Sequence, residues 1–205
     1  IKVNHMMGHA YSYFVDHDIK QLKFPILSLV VSGGHTFIAR ATSIDNFKYL
    51  NQSIDDAAGE ALDKIGRYLG LDYPGGVSID NIYSSKNLIE LAPNKPVDVP
   101  FTFSGIKTAA LNKINEYKMK KKQVPVKVIA SSSLEWIMND LVRKLEFYLS
   151  KYKDTKMVLI GGGVSANKLL RKKLSQIKKV KVCYPTLKYT NDNAAMIATY
   201  AKLKK

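Results

Sequence analysis

His5 and His9 stand four residues apart in HMMGH, so a helix there turns both imidazoles to one side. Such a pair can serve as two ligands of a transition metal. It can equally be one partly buried histidine and one surface histidine. Zinc proteases place a glutamate directly after the first histidine as general base. Met6 holds that position here, so the pair offers ligation without that base. A carboxylate of the right kind lies near the other end of the chain, in Thr190-Asn191-Asp192-Asn193. Asp192 either completes a metal site or, like Asn191, caps the helix that follows.

Two glycine runs offer a second chemistry. Val30-Val31-Ser32-Gly33-Gly34-His35-Thr36 follows an apolar run. Consecutive glycines there form a plain hairpin turn, or let a phosphate approach backbone N–H groups. Gly161-Gly162-Gly163 follows the apolar MVLI and precedes Val164-Ser165-Ala166-Asn167. Strand, glycines and helix start make a nucleotide-binding arrangement, with Asn167 within reach of a ligand. The spacing matches neither GxGxxG nor a P-loop. Between these runs, Asp55, Asp56, Glu60 and Asp63 crowd the start of a helix. Asp55 and Asp56 suit its positive end, and Asp56, Glu60 and Asp63 share a side. An aspartate on that side can bond a ribose hydroxyl or metal-linked water; the alternative is a capped helix with solvated charges. Gly59 inside the helix costs about 1 kcal/mol against Ala, which points to close packing or close ligand approach.

The elements that must position these residues alternate between strand and helix. Strands are predicted at 26–31, 36–41 and 47–51, the first two as a hairpin, with further strands at 101–105, 157–160 and 180–184. Helices are predicted at 55–69, 77–91, 106–118, 126–152, 166–176 and 191–203. Gly70 and Pro74-Gly75-Gly76 end the first helix. The pattern is that of an α/β fold.

At 205 residues, 46% hydrophobic and 24% charged, the chain can bury a real core. No apolar stretch reaches the roughly 20 residues of a membrane span. Cys183 is the only cysteine, which excludes an internal disulfide and a cysteine-rich zinc module. The net charge of +15 comes from 32 Lys and Arg against 17 Asp and Glu. It reads as biased lysine usage on a solvated surface or as attraction to a polyanion such as RNA. The chain opens Ile1-Lys2-Val3-Asn4 without an initiator Met, as if at the end of a strand in a longer protein.

In combination and in order, these motifs resemble the TsaD family, also called Gcp or Kae, of tRNA threonylcarbamoyladenosine synthases. The matching stretches are NHMMGH (4–9), LVVSGGHT (29–36), SIDDAAGEALDKIGRYLGLDYPGG (53–76), FTFSGIKT (101–108), GGGVSAN (161–167) and NDNAAM (191–196). The resemblance implies the two-lobed ASKHA fold, actin-like and ribonuclease H-like. Residues 25–190 would then form the second lobe, with 1–24 and 191–205 belonging to the first. It implies transfer of a threonylcarbamoyl group from threonylcarbamoyl-adenylate to the adenine beside the anticodon of ANN-reading tRNAs. On that resemblance His5, His9 and Asp192 hold one divalent metal, iron or zinc, and the last helix packs back beside His5. The adenylate, an ATP-like nucleotide ligand, lies across Val30, Val31, Ser32, Gly33 and Gly34, with Asp63 and Gly76 near its ribose and Asn167 near its base or sugar. Lys118–Lys122 and Lys168–Lys179 become candidates for tRNA contact.

The resemblance also implies TsaB-like and TsaE-like partners in a bacterium, or a homodimer in an organelle, and no membrane. DYPGG favours the bacterial or organellar branch, with the cytoplasm expected and mitochondria or plastids as the alternative. Met7 stands where the family commonly has Glu, and Ala194 where it usually has Gly. Members carry roughly a hundred more residues before HxxxH, the size of a lobe, with a loop of the type ETSCDDT. Other readings on the same fold are an actin-like or sugar-kinase-like ATPase and a non-catalytic TsaB-like scaffold. A metalloprotease is disfavoured by Met6.

Overall fold

A computed structural model describes residues 2–205. Its centre is a five-stranded sheet: β1 (Ile26–Val31), β2 (Thr36–Ala41), β3 (Phe47–Gln52), β4 (Met157–Gly161) and β5 (Lys181–Cys183). The spatial order is β3-β2-β1-β4-β5. The pairs β1–β2 and β2–β3 are antiparallel, while β1–β4 and β4–β5 are parallel. The predicted hairpin is present, closing at Val31 opposite Thr36. The stretch 101–105 makes only an isolated bridge, Phe101 to Ser53. No strand covers 2–4, and Ile1 lies outside the described residues.

Period-two alternation divides the core in two. Leu27, Leu29 and Val31 point to one face of the sheet, Ile26 and Val30 to the other. Against the first face lie α2 (Ala58–Tyr68), α3 (Gly75–Ile82), α4 (Ser104–Met119), α5 (Val126–Lys151) and α6 (Lys168–Leu174). Against the second lie α1 (His5–Ala10), the 3-10 turn Ser12–Val15 and α7 (Ala194–Leu203). The crossover between parallel β1 and β4 covers the first face, and elements from the two ends of the chain cover the second.

Several expected helices change their limits for visible reasons. The first begins at Ala58 rather than Asp55, because Asp55 and Asp56 bind the segment 103–107 instead. The second stops at Ile82 instead of 91. Beyond it, Ser84 N–H and Ile89 N–H donate to the Ser131 and Ser132 hydroxyls of α5, replacing helical bonds with tertiary ones. The stretch 166–176 divides into a 3-10 turn, Gly163–Ala166, and α6. The last helix starts at Ala194, and its cap is Asn193, whose side chain accepts from Met196 N–H; neither Asn191 nor Asp192 caps it.

Candidate metal centre and adjoining cleft

The first turn of α1 is set by Asn4, whose side chain accepts from Met6 N–H at 2.9 Å. The four-residue spacing then stacks the His5 and His9 rings edge to face, 4.8 Å between centroids. His9 is 1% exposed and His5 half exposed. Capping by Asn193 leaves Asp192 outside the helix, with its carboxylate free to turn toward α1. Asp192 Oδ1 lies 2.9 Å from His9 Nε2 and 3.5 Å from His5 Nε2. One donor atom from each of the three falls within 4.8 Å of the others.

The donor set suits a divalent metal in kind, and the two distances to Asp192 bracket the roughly 3.4 Å that separates tetrahedral ligands about 2.1 Å from zinc; with all three atoms within 4.8 Å, small side-chain turns bring them round one ion. Burial and the neighbouring His5 hold the His9 imidazole below its ordinary pKa, against the pull of Asp192. The neutral, ligating form is thereby favoured. His9 Nδ1 is buried without a hydrogen-bond partner, so the ring is held by packing and by the contact of Nε2 with Asp192.

The glycine run after β4 builds this centre from below. A Cβ on Gly161 would lie 2.0 Å from the His9 carbonyl oxygen. Gly162 has φ +84°, and a Cβ there would meet the Val31 carbonyl at 2.3 Å. A Cβ on Gly163 would meet Asn191 Oδ1 at 2.7 Å. The run is filled by the protein's own groups and joins α1, the end of β1 and the turn carrying Asp192. At Gly161 and Gly162 the close approach that the glycines permit is by backbone. Asn167 is buried and caps α6, its Oδ1 accepting from Leu170 N–H at 2.9 Å.

The loop Ser32–His35 closes on Ser32 N–H donating to the His35 carbonyl. It docks on the start of α2, where Ala58 N–H donates to Thr36 Oγ1 and Gly59 N–H to the Ser32 carbonyl. A Cβ on Gly59 would lie 2.7 Å from that carbonyl oxygen, so the helical glycine marks close packing. Val30 and Val31 are fully buried, their side chains in the two cores. Gly33 and Gly34 stay exposed, with open space beside them. Asp63 and Gly76 do meet: Gly76 N–H donates to Asp63 Oδ1 at 3.1 Å. Asp56 and Glu60 do not form a ligand-facing row with Asp63. Lys64 bridges them at 2.9 and 2.8 Å, and Lys107 adds a second contact to Asp56 at 2.6 Å.

A cavity of about 110 Å³ lies between the first turn of α1 and the β2–β3 edge, lined in part by Met6, His35 and Tyr49. His35 belongs to the LVVSGGHT stretch without a role assigned to it, and Tyr49 carried no sequence signal, because it meets the cavity only when β3 folds beside β2. Within the lysine runs, Lys120 pairs with Glu116 and Lys173 with Glu135. Among the described residues no helix is long and apolar enough to cross a membrane.

The sheet order and the helices on both faces define an ASKHA-type α/β protein. The same architecture occurs in full-length HypF with phosphate and nucleotide bound (TM-score 0.70, 13% identity, all of this chain and 36% of that one). It occurs again in component A of (R)-2-hydroxyglutaryl-CoA dehydratase from Acidaminococcus fermentans (TM-score 0.53, 14% identity, 96% of this chain and 68% of that one). At these identities the likeness is one of fold. The family profile described as TsaD, tRNA N6-adenosine threonylcarbamoyltransferase, matches residues 1–199, and the chain belongs to that family. Relatives bearing that name include one from Ureaplasma urealyticum serovar 10, 42% identical over 98% of this chain and 62% of its own length. Another, from Fusobacterium nucleatum, is 41% identical over all of this chain and 61% of its own length. The chain thus spans about three fifths of the curated relatives it matches.

Proposed function

We propose that this chain carries the metal centre and much of the donor site of a tRNA N6-adenosine threonylcarbamoyltransferase. The observation that carries the reading is the convergence of His5, His9 and Asp192, from opposite ends of the sequence, on a protein whose Ser32–His35 loop leaves Gly33 and Gly34 exposed. In this reading residues 25–190 form the second lobe of the ASKHA fold, while 1–24 and 191–205 belong with the first. The threonylcarbamoyl-adenylate lies along Ser32–Gly34. Asp63 and Gly76 stand near its ribose, and Asn167 near its base or sugar. Val30 and Val31 support that loop from the sheet.

His5, His9 and Asp192 would hold iron or zinc, and a metal bound there supplies Lewis-acid polarisation of the carbamoyl carbonyl. The remaining work is positioning. The adenine N6 attacks the carbonyl carbon, the bond to the phosphate oxygen breaks, AMP leaves with the electron pair, and N6 gives up a proton. An acyl-adenylate is already activated, so no protein nucleophile is needed. The exocyclic amine is a weak nucleophile, and alignment supplies much of the rate. The +15 charge supports a polyanionic substrate, with Lys118–Lys122 and Lys168–Lys179 as candidate contacts. In this reading the protein works in the bacterial cytoplasm with TsaB-like and TsaE-like partners; the bacterial sources of the curated relatives support the bacterial assignment.

The test is transfer from preformed threonylcarbamoyl-adenylate to an ANN-reading tRNA with those partners present. It is run on this chain and on its fusion to the remaining part of the Fusobacterium relative. Product that disappears in both His9→Ala and Asp192→Ala supports the reading. No product from either folded, metal-loaded protein contradicts it.

A further inference from the structure

The cavity beside α1 is placed where a second substrate would have to enter. Its walls include Met6, which follows His5 in α1, and Gly34 of the exposed loop, so it opens between the helix that carries the two histidines and the proposed donor site. Its outer side is aromatic. Phe37, buried on β2, and Tyr49, 41% exposed on β3, stand edge to face at 5.0 Å. Gln52, exposed at the end of β3, and His35 add polar edges to the lining. An enclosed cavity of about 150 Å³ holds a benzene ring, so a hollow of about 110 Å³ that opens to solvent suits the insertion of one flat ring system.

The charge at the rim narrows the occupant. Asp55 lines the cavity, and its carboxylate accepts from Phe103 N–H at 2.8 Å and Ser104 N–H at 3.3 Å. A carboxylate or phosphate in the cavity would face that negative group. A neutral ring carrying N–H donors would not. Stacking on an exposed aromatic side chain with polar groups at the ring edge is how single-stranded RNA bases are held.

Resting on the function proposed above, we infer that this cavity is the acceptor-base subsite. An unpaired adenine presented by RNA stacks on Tyr49, meets Gln52 and His35 at its edge, and turns its amine toward the His5–His9–Asp192 centre. The donor stays on the far side of Gly34.

The test uses this chain and an anticodon stem-loop RNA with 2-aminopurine at the target position, so that stacking on protein changes its fluorescence. Donor binding is followed separately by calorimetry with threonylcarbamoyl-adenylate. We expect a fluorescence change on wild-type binding. In Tyr49→Ala that change is lost and the RNA is held roughly tenfold more weakly, while donor affinity stays within about threefold. Tyr49→Phe, which keeps the ring, restores the signal and guards against misfolding of the alanine variant. RNA and donor binding with no fluorescence change, or with a change indifferent to Tyr49→Ala, overturns the subsite and leaves the proposed function standing. Weakened donor binding in Tyr49→Ala also overturns it, by giving the cavity to the donor. Failure of wild type to bind either ligand removes the proposed function and this inference with it.

Discussion

Asp56 shows how local electrostatics decides a residue's role. Burial pushes its carboxyl up, but hydrogen bonds from Lys107 and Lys64 outweigh that and hold it below its ordinary value of 3.8. A depressed carboxyl stabilises the fold above its unfolded pKa and loses that contribution as pH falls through the folded one. Wild type should therefore lose more of its melting temperature on acidification below pH ~4 than Asp56→Asn does, by on the order of 2 °C. Equal losses in thermal scans across that range would contradict the assignment. Asp192 illustrates a different limit. Read by itself in the sequence, it is a cap or a ligand, and only the family resemblance makes it a ligand; the neighbouring Asn193 takes the capping bond and leaves the carboxylate to the histidines.

Among the elements, two junctions carry the site. At the first, Gly161 lets the sheet and α1 touch. Gly161→Ala forces the His9 backbone away and should cost about 3 kcal/mol in urea unfolding, with weaker metal binding. Gly34→Ala, which meets nothing within 4 Å, should stay within about 0.5 kcal/mol of wild type. Equal effects of the two would contradict this reading of the glycine runs.

At the second junction, α5 buries Asp140 and Lys144. Their charged atoms are 3.2 Å apart without hydrogen-bond alignment. Burial pushes Asp140 up and Lys144 down. Lys144 also donates to the Pro100 carbonyl at 3.1 Å, tying α5 to the segment that bridges to Ser53. Removing one charge should cost about 3–5 kcal/mol, whereas Asp140→Leu with Lys144→Met should cost less than Asp140→Leu alone. Denaturant midpoints of the two variants decide it, and a more fragile double variant refutes the buried-charge account.

For the whole molecule, the alternating strands, the Gly-Gly hairpin and the long helix at 126–151 were legible because each is a local pattern of period or turn. The helix end at Ile82 was not, because hydroxyls far along the chain supply the bonds that stop it. The metal ligands were legible as residue types, but their meeting depends on α7 crossing α1. A Cβ on Gly8 would lie 2.8 Å from Ile197 Cδ1, which measures how closely those helices pass. The aromatic cavity had no sequence signature, since it exists only where β3, β2 and α1 come together.

The central claim is that both ends of the chain build one metal centre. Titration of Zn²⁺ into the metal-free chain, followed by calorimetry, tests it most directly. The account predicts one tight site per chain in wild type and its loss or severe weakening in Asp192→Ala as well as in His9→Ala. Zinc binding that survives Asp192→Ala unchanged, in a variant with native circular dichroism, would contradict it.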